Sequence, residues 1–179
     1  MIHTTAQVHP TAVIRPSAHV GAKARVGEGA YVGEGARVGE GANVDHGAHV
    51  GPWANIGYGA NIGCCVDIHT GASVGLEAHI DDWAVVGPGA NVGAKTYVGG
   101  RAHVGARARI GTMVRVGDGA YVGVGVRIGD YARVGTQAHV GDNAVIADGT
   151  YVGNRAYVSD GACMGDDAAV SNEAKESAG

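Results

Sequence analysis

A chain of 179 residues is long enough for one ordinary domain, yet 33 glycines, no phenylalanine and a 45% hydrophobic fraction made mostly of alanine and valine deny it the large side chains of a globular core. Thirteen Lys and Arg against 17 Asp and Glu leave a net charge of -4, which argues against a nucleic-acid footprint and a polybasic membrane signal. No apolar run approaches the ~20 residues of a membrane span, and the odd set Cys64, Cys65 and Cys163 reads as free thiols, so a cytoplasmic protein is expected.

The opening, Met1 to Ile14, lacks the charged and continuous apolar regions of a signal peptide. It starts a repeat instead. From Ile2 through Val8, Ile14 and Val20 to Met164 and Val170, an aliphatic residue stands at every sixth position, 29 positions without exception. The following residue is Gly at 20 of them, and the residue four places on is Ala at 24, the exceptions being Val66, Thr96, Val114, Val126 and Thr150. A period of six fits neither a helix nor a heptad. It fits short strands that turn a corner at each repeat, with the aliphatic side chain inward and its two neighbours outward. Gly29, Gly35, Gly41, Gly47, Gly59, Gly71, Gly89, Gly119 and Asn143, three places after the aliphatic, predict corners of positive φ. Pro10, Pro16, Pro52 and Pro88 fall where strand gives way to corner and a missing N–H is tolerated. The pattern ends after Val170, and 171–179 is expected to fray.

Aliphatic, Gly-like, two variable, small, variable is a pattern that resembles the hexapeptide-repeat family from Ile2 to Val170. The resemblance implies an all-β fold, a single-stranded left-handed parallel β-helix of three hexapeptides per coil. It would have about ten coils stacked over ~46 Å, one domain and no inserted loops. Residues 18 apart then share a column. Two outward columns carry three arginines each, whereas the third reads Val13, Tyr31, His49, Asp67, Val85, His103, Tyr121, His139, Tyr157. That ring-bearing, charge-depleted face is expected to form the contact of a homotrimer, the usual assembly in the family, through Tyr31, His49, Tyr121, His139 and Tyr157.

Departures from so regular a pattern mark the candidate site. Between Gly39 and Gly141 the glycine row fails only at Asp45, His69 and Asp81, and the same region, Val44 to Val86, holds Cys64, Cys65, Trp53 and Trp83. Column arithmetic stacks His46, Cys64 and Asp82 on one corner, with Asp45, Gly63 and Asp81 beside them and Gly47, Cys65 and Trp83 next. It also sets His49 directly below Asp67, with His69 two residues further on. The segment Val44-Asp45-His46-Gly47 resembles the motif of hexapeptide acetyltransferases acting on sugars, in which the histidine is often the base. Ile80-Asp81-Asp82-Trp83-Ala84 is similar to a later stretch of the nucleotide-sugar N-acetyltransferases, and Val8-His9-Pro10-Thr11-Ala12 to how many of these acyltransferases begin. The chain departs from them in having no loop excursion.

What the resemblance implies is an acyltransferase moving an acetyl or other acyl group from acyl-CoA to an amino or hydroxyl group of a sugar-type acceptor. His46 would be the base, Asp45 or Asp82 its orienting carboxylate, and Trp83, Arg101 and Arg107 would contact CoA. No metal is expected. Two alternatives stand beside this: a non-catalytic scaffolding prism, which perfect periodicity suits, and a metal site like that of the γ-class carbonic anhydrases, whose first ligand His69 resembles in its setting.

Overall fold

The computed structural model describes residues 1–166 and 168–172 and the backbone of 175–176. Among them it forms 29 strands of two residues each and no helix. All pairing is parallel, and every partner is 18 residues away, as in Asn61 with Asn43 and His79, or Asp67 with His49 and Val85. The strands build three sheets that we number as faces. Face 1 has 10 strands, from Gln7–Val8 to Ala169–Val170; face 2 has 10, from Val13–Ile14 to Lys175–Glu176; face 3 has nine, from His19–Val20 to Cys163–Met164. The chain therefore winds as a parallel β-solenoid, consistent with a left-handed β-helix. Most of the stretch expected to fray lies outside the described residues; within it, Lys175–Glu176 pairs with Tyr157–Val158.

From His19–Val20 to Ala169–Val170 each strand begins with an outward residue and ends with a buried aliphatic one, so the interior is a column of mostly Val and Ile with mostly Ala at the corners, where the prism leaves little room for more. Burying each Val or Ile contributes roughly 1.5–3 kcal/mol relative to exposure. Two of the five exceptions at the Ala position are explained by their partners. Buried Thr96 donates its hydroxyl to the Gly111 carbonyl at 2.7 Å and accepts from the Val114 N–H at 3.2 Å, and Thr150 donates to the Gly165 carbonyl at 2.9 Å.

Corner 1 joins faces 1 and 2 (45–48 in one coil), corner 2 joins faces 2 and 3 (51–54), and corner 3 joins faces 3 and 1 (57–60). From Ser17 to Gly161 the third corner residue of every repeat has positive φ, and 14 of these are not glycine, Trp53, Cys65, Trp83, Arg101 and Arg107 included. The predicted glycine corners and Asn143 are all in this conformation. The glycine row has a different cause. A Cβ on Gly57 would lie 2.6 Å from the Gly75 carbonyl carbon and 2.7 Å from the Leu76 nitrogen, because adjoining coils pass too close for a side chain.

The first two corners close by other means. Thr11 lacks the positive φ; its hydroxyl hydrogen-bonds His9 Nδ1 at 2.8 Å and accepts from the Gly29 N–H at 3.0 Å, with His3, Thr5 and Lys23 arranged in the same way. His9-Pro10-Thr11 thus ties its own corner to the next coil through a side-chain hydroxyl.

Candidate functional site

Corner 1 carries the predicted stack. The register of face 1 places His46, Cys64 and Asp82 in successive coils; the Cys65 N–H donates to the His46 carbonyl and the Trp83 N–H to the Cys64 carbonyl, both at 3.0 Å. What the carboxylates do there differs from expectation. Asp45 Oδ1 accepts from the N–H of His46 at 2.7 Å, Asp81 Oδ1 from that of Asp82 at 2.9 Å, and Asp82 Oδ1 from that of Cys64 one coil away at 2.7 Å. Among the described residues, no hydrogen bond or ion pair reaches the exposed imidazole of His46. A corner N–H turned out of the ladder needs an acceptor, and a short carboxylate at these positions supplies it.

The Asp82 bond recurs along the prism. Asp118, Asp130, Asp142, Asp148 and Asp160 each accept from an N–H one coil away at 2.7 to 3.1 Å, and Asn154 and Asn172 do the same at 2.9 and 2.8 Å. Asp81 has a second partner, the hydroxyl of Tyr97, which donates to its Oδ2 at 2.7 Å. That hydroxyl holds the Asp81 carboxyl below its ordinary range, and the carboxylate, with some burial, pushes Tyr97 up to about 12. Partial burial, reinforced by the negative charges of Asp45 and Asp82, raises the Cys64 thiol. Cys64 is therefore a thiol at neutral pH and not a thiolate nucleophile.

Above this stack, on the same corner, lies a cleft of about 490 Å³ bordered by Asp81, Asp82, Trp83, Arg101, Asp118 and Gln137. Of the residues expected to touch CoA, it brings Trp83 and Arg101 together. Arg107 stands on corner 2, in the column of Trp53. His46 lies on the same corner two strand spacings, or roughly 10 Å, below Asp82 and outside the lining of the cleft.

Face 2 holds a constellation of which sequence reasoning placed His49 and Asp67 in one column and His69 two residues further on, without linking them. Asp67 bridges two imidazoles, Oδ1 lying 3.0 Å from His49 Nδ1 and Oδ2 3.3 Å from His69 Nε2, all three side chains being half-exposed. Tyr31 stacks on His49 with centroids 4.8 Å apart and planes 11° from parallel. Burial lowers His103, further along the face, with a smaller contribution from the charge of His69. The signal was present: of the 29 strands, only that of Asp67 opens with a carboxylate, and His69 breaks the glycine row beside it. Among the described residues, no group of three or more His, Cys, Asp or Glu is placed to hold a metal ion.

No family model and no curated protein matches the chain. Solved structures do. A mutant of perosamine N-acetyltransferase from Caulobacter crescentus, in complex with CoA and GDP-perosamine, is 28% identical with a TM-score of 0.61 over 63% of this chain and 53% of that one. PerB from Caulobacter crescentus, with the same two ligands, is 29% identical with a TM-score of 0.60 over 62% and 53%. The Francisella novicida UDP-N-acetylglucosamine acyltransferase, 20% identical with a TM-score of 0.52, covers 96% of this chain and 67% of its own, and shares the fold. The chain spans about half the length of the first two.

Proposed function

We propose that this hexapeptide-repeat β-helix, whose structural neighbours are sugar-nucleotide acyltransferases, transfers an acyl group from acyl-CoA to an amino or hydroxyl group of a sugar-type acceptor. The observation that carries the proposal is the corner 1 cleft, where an exposed indole and a guanidinium stand together above the His46 column. Trp83 offers an apolar face to the adenine or the pantetheine arm, and Arg101 a charge-assisted partner to phosphate. The neighbours from Caulobacter crescentus hold CoA and GDP-perosamine, which supports both substrate classes.

In such a transfer the acceptor's lone pair attacks the thioester carbonyl, a base takes the acceptor's proton, and backbone N–H groups facing the developing oxyanion stabilise it. The sequence motif designates His46 as that base, with Asp45 or Asp82 to orient it. The bonds of Asp45 and Asp82 to backbone favour a scaffolding role for those two carboxylates, and they are also the specific observation on the side of a non-catalytic prism. Self-association, a homotrimer in this proposal, would use face 2, where rings replace charges. Release of free thiol from acetyl-CoA in the presence of amino sugars, followed chromatographically, tests the activity. Turnover well above the uncatalysed background is expected, and background rates across the acceptor panel would overturn it.

A further inference from the structure

Along the outward columns, neighbouring coils often satisfy one another. On face 1 the Asn43 amide donates to Asn61 Oδ1 and the Asn61 amide to His79 Nδ1, both at 3.0 Å, and His79 stacks on Tyr97. On face 2 the rings stack in one run from His103 to Tyr157. Two places do the opposite, one on either side of corner 3. Arg109 stands in register with Arg127 on face 3, and Arg115 with Arg133 on face 1, each pair one strand spacing, ~4.8 Å, apart. Nowhere else along these columns does arginine follow arginine; Arg25 and Arg37 each face an asparagine in the next coil.

A guanidinium has five donors and no acceptor, so two in succession cannot bond one another, and like charges directly opposite in a ladder repel. Among the described residues, no ion pair or hydrogen bond reaches any of these four exposed side chains. On corner 3, Asp130 and Asp148 each commit one carboxylate oxygen to a backbone N–H, that of Thr112 at 2.7 Å and that of Asp130 at 2.8 Å. The acceptors for the arginines therefore come from outside the chain. On face 3 there is a place for them. Arg109 and Arg127 border a groove of about 440 Å³ that runs from Asn91 to Val145, three strand spacings or ~14 Å. Its lining includes the glycine row Gly93, Gly111 and Gly129, which carries no side chain because adjoining coils pass so closely that a Cβ on Gly111 would lie 2.7 Å from the Gly129 carbonyl carbon.

We propose that this groove binds a diphosphate group, with Arg109 and Arg127 each taking one of its two phosphates. A guanidinium fork pairs with phosphate oxygens through two charge-assisted hydrogen bonds, and two neighbouring phosphates match two forks stacked in register. A single phosphate relieves the repulsion of the pair only in part, whereas a diphosphate supplies acceptors to both members. Asn91 and Thr112 add neutral polar groups along the groove. The diphosphate is either free pyrophosphate or part of an ester such as a nucleoside diphosphate. Corner 1 joins faces 1 and 2, so face 3 lies opposite it, and this site is separate from the cleft proposed above for acyl-CoA.

The test is calorimetric titration with inorganic pyrophosphate, ADP and inorganic phosphate, free of divalent cations and at ~0.1 M salt. Wild type is compared with Arg109→Gln/Arg127→Gln, with Arg115→Gln/Arg133→Gln, which removes the same charge from face 1, and with Arg101→Gln in the corner 1 cleft. Wild type is expected to bind pyrophosphate at least about tenfold more tightly than phosphate, and Arg109→Gln/Arg127→Gln to lose at least about tenfold. The other two variants should stay within about threefold of wild type. Arg127→Lys, which keeps the charge and loses the fork, should fall between wild type and the face 3 double variant. ADP bound at least as tightly as pyrophosphate bears the proposal out with an ester as the ligand, and pyrophosphate bound with ADP excluded bears it out with the free anion. Absence of saturable heat from pyrophosphate up to ~1 mM overturns it. So does phosphate bound as tightly as pyrophosphate, an equal loss in the two arginine double variants, or a comparable loss in Arg101→Gln.

Discussion

An aspartate or asparagine at the second residue after the buried aliphatic does the same work at eight places in this molecule: it accepts the N–H of the residue one coil away that the corner has turned out of the ladder. Asp82 belongs to that series with Asp118, Asp130, Asp142, Asp148, Asp160, Asn154 and Asn172. Since two asparagines already fill the role, the charge is dispensable. Asp82→Asn should therefore leave stability within about 0.5 kcal/mol of wild type, whereas Asp82→Ala should cost about 1 kcal/mol, both read from urea denaturation. An Asp82→Asn variant as unstable as Asp82→Ala would mean that charge and not acceptance matters there. The same comparison separates scaffold from chemistry, because a carboxylate that orients a catalytic imidazole is not replaced by an amide without loss of rate.

Between elements, one side-chain bond ties face 1 to corner 1. The strand Tyr97–Val98 reaches across to the corner after Ile80 through the Tyr97 hydroxyl on Asp81, and His79 stacks on Tyr97 at 5.4 Å. Asp81 is held low when folded, so its contribution is present above the ordinary carboxylate range and fades as pH falls through its lowered value. Tyr97 is raised to about 12, so its contribution is present up to about pH 10 and fades between there and about 12. Tyr97→Phe should cost about 1 kcal/mol at pH 7, discounted for the partial exposure of the pair. The gap between wild type and variant, followed by denaturation across pH, should close at both extremes; a gap that is flat from pH 3 to 12 would dissociate it from this bond. At this scale the sequence is most legible. Buried columns, glycine rows and corners each follow from contacts between residues 18 apart, so the six-residue period, with the three hexapeptides per coil that the family resemblance implies, predicts them, the Thr96 and Thr150 positions included. Whether Asp45 turns to an imidazole or to a backbone N–H is a rotamer choice that spacing does not encode. For that reason the stack His46, Cys64, Asp82 is predictable while the bonds within it are not, and Asp67 is placed below Val85 and above His49 without the link to His69 being visible.

At the scale of the whole molecule, a prism whose coils touch only their neighbours has no central fold to shape a pocket, so chemistry has to sit on corners and faces and to be enclosed from outside. The rings of face 2 supply an enclosing surface in the proposed self-association. Tyr121, in the middle of the ring run, is half-buried already, and Tyr121→Arg should weaken association by placing a charge there. Sedimentation velocity showing a wild-type monomer at micromolar concentration would remove that surface from the account. The central claim is narrower, namely that corner 1 is an acyl-CoA site. Calorimetric titration of the wild-type chain with acetyl-CoA, with Trp83→Ala in parallel, tests it most directly. The account predicts saturable binding to wild type, weakened at least tenfold by removing the indole, equivalent to about 1.4 kcal/mol. Absence of heat up to ~1 mM acetyl-CoA, the weak limit near 4 kcal/mol, or binding indifferent to Trp83, would contradict it.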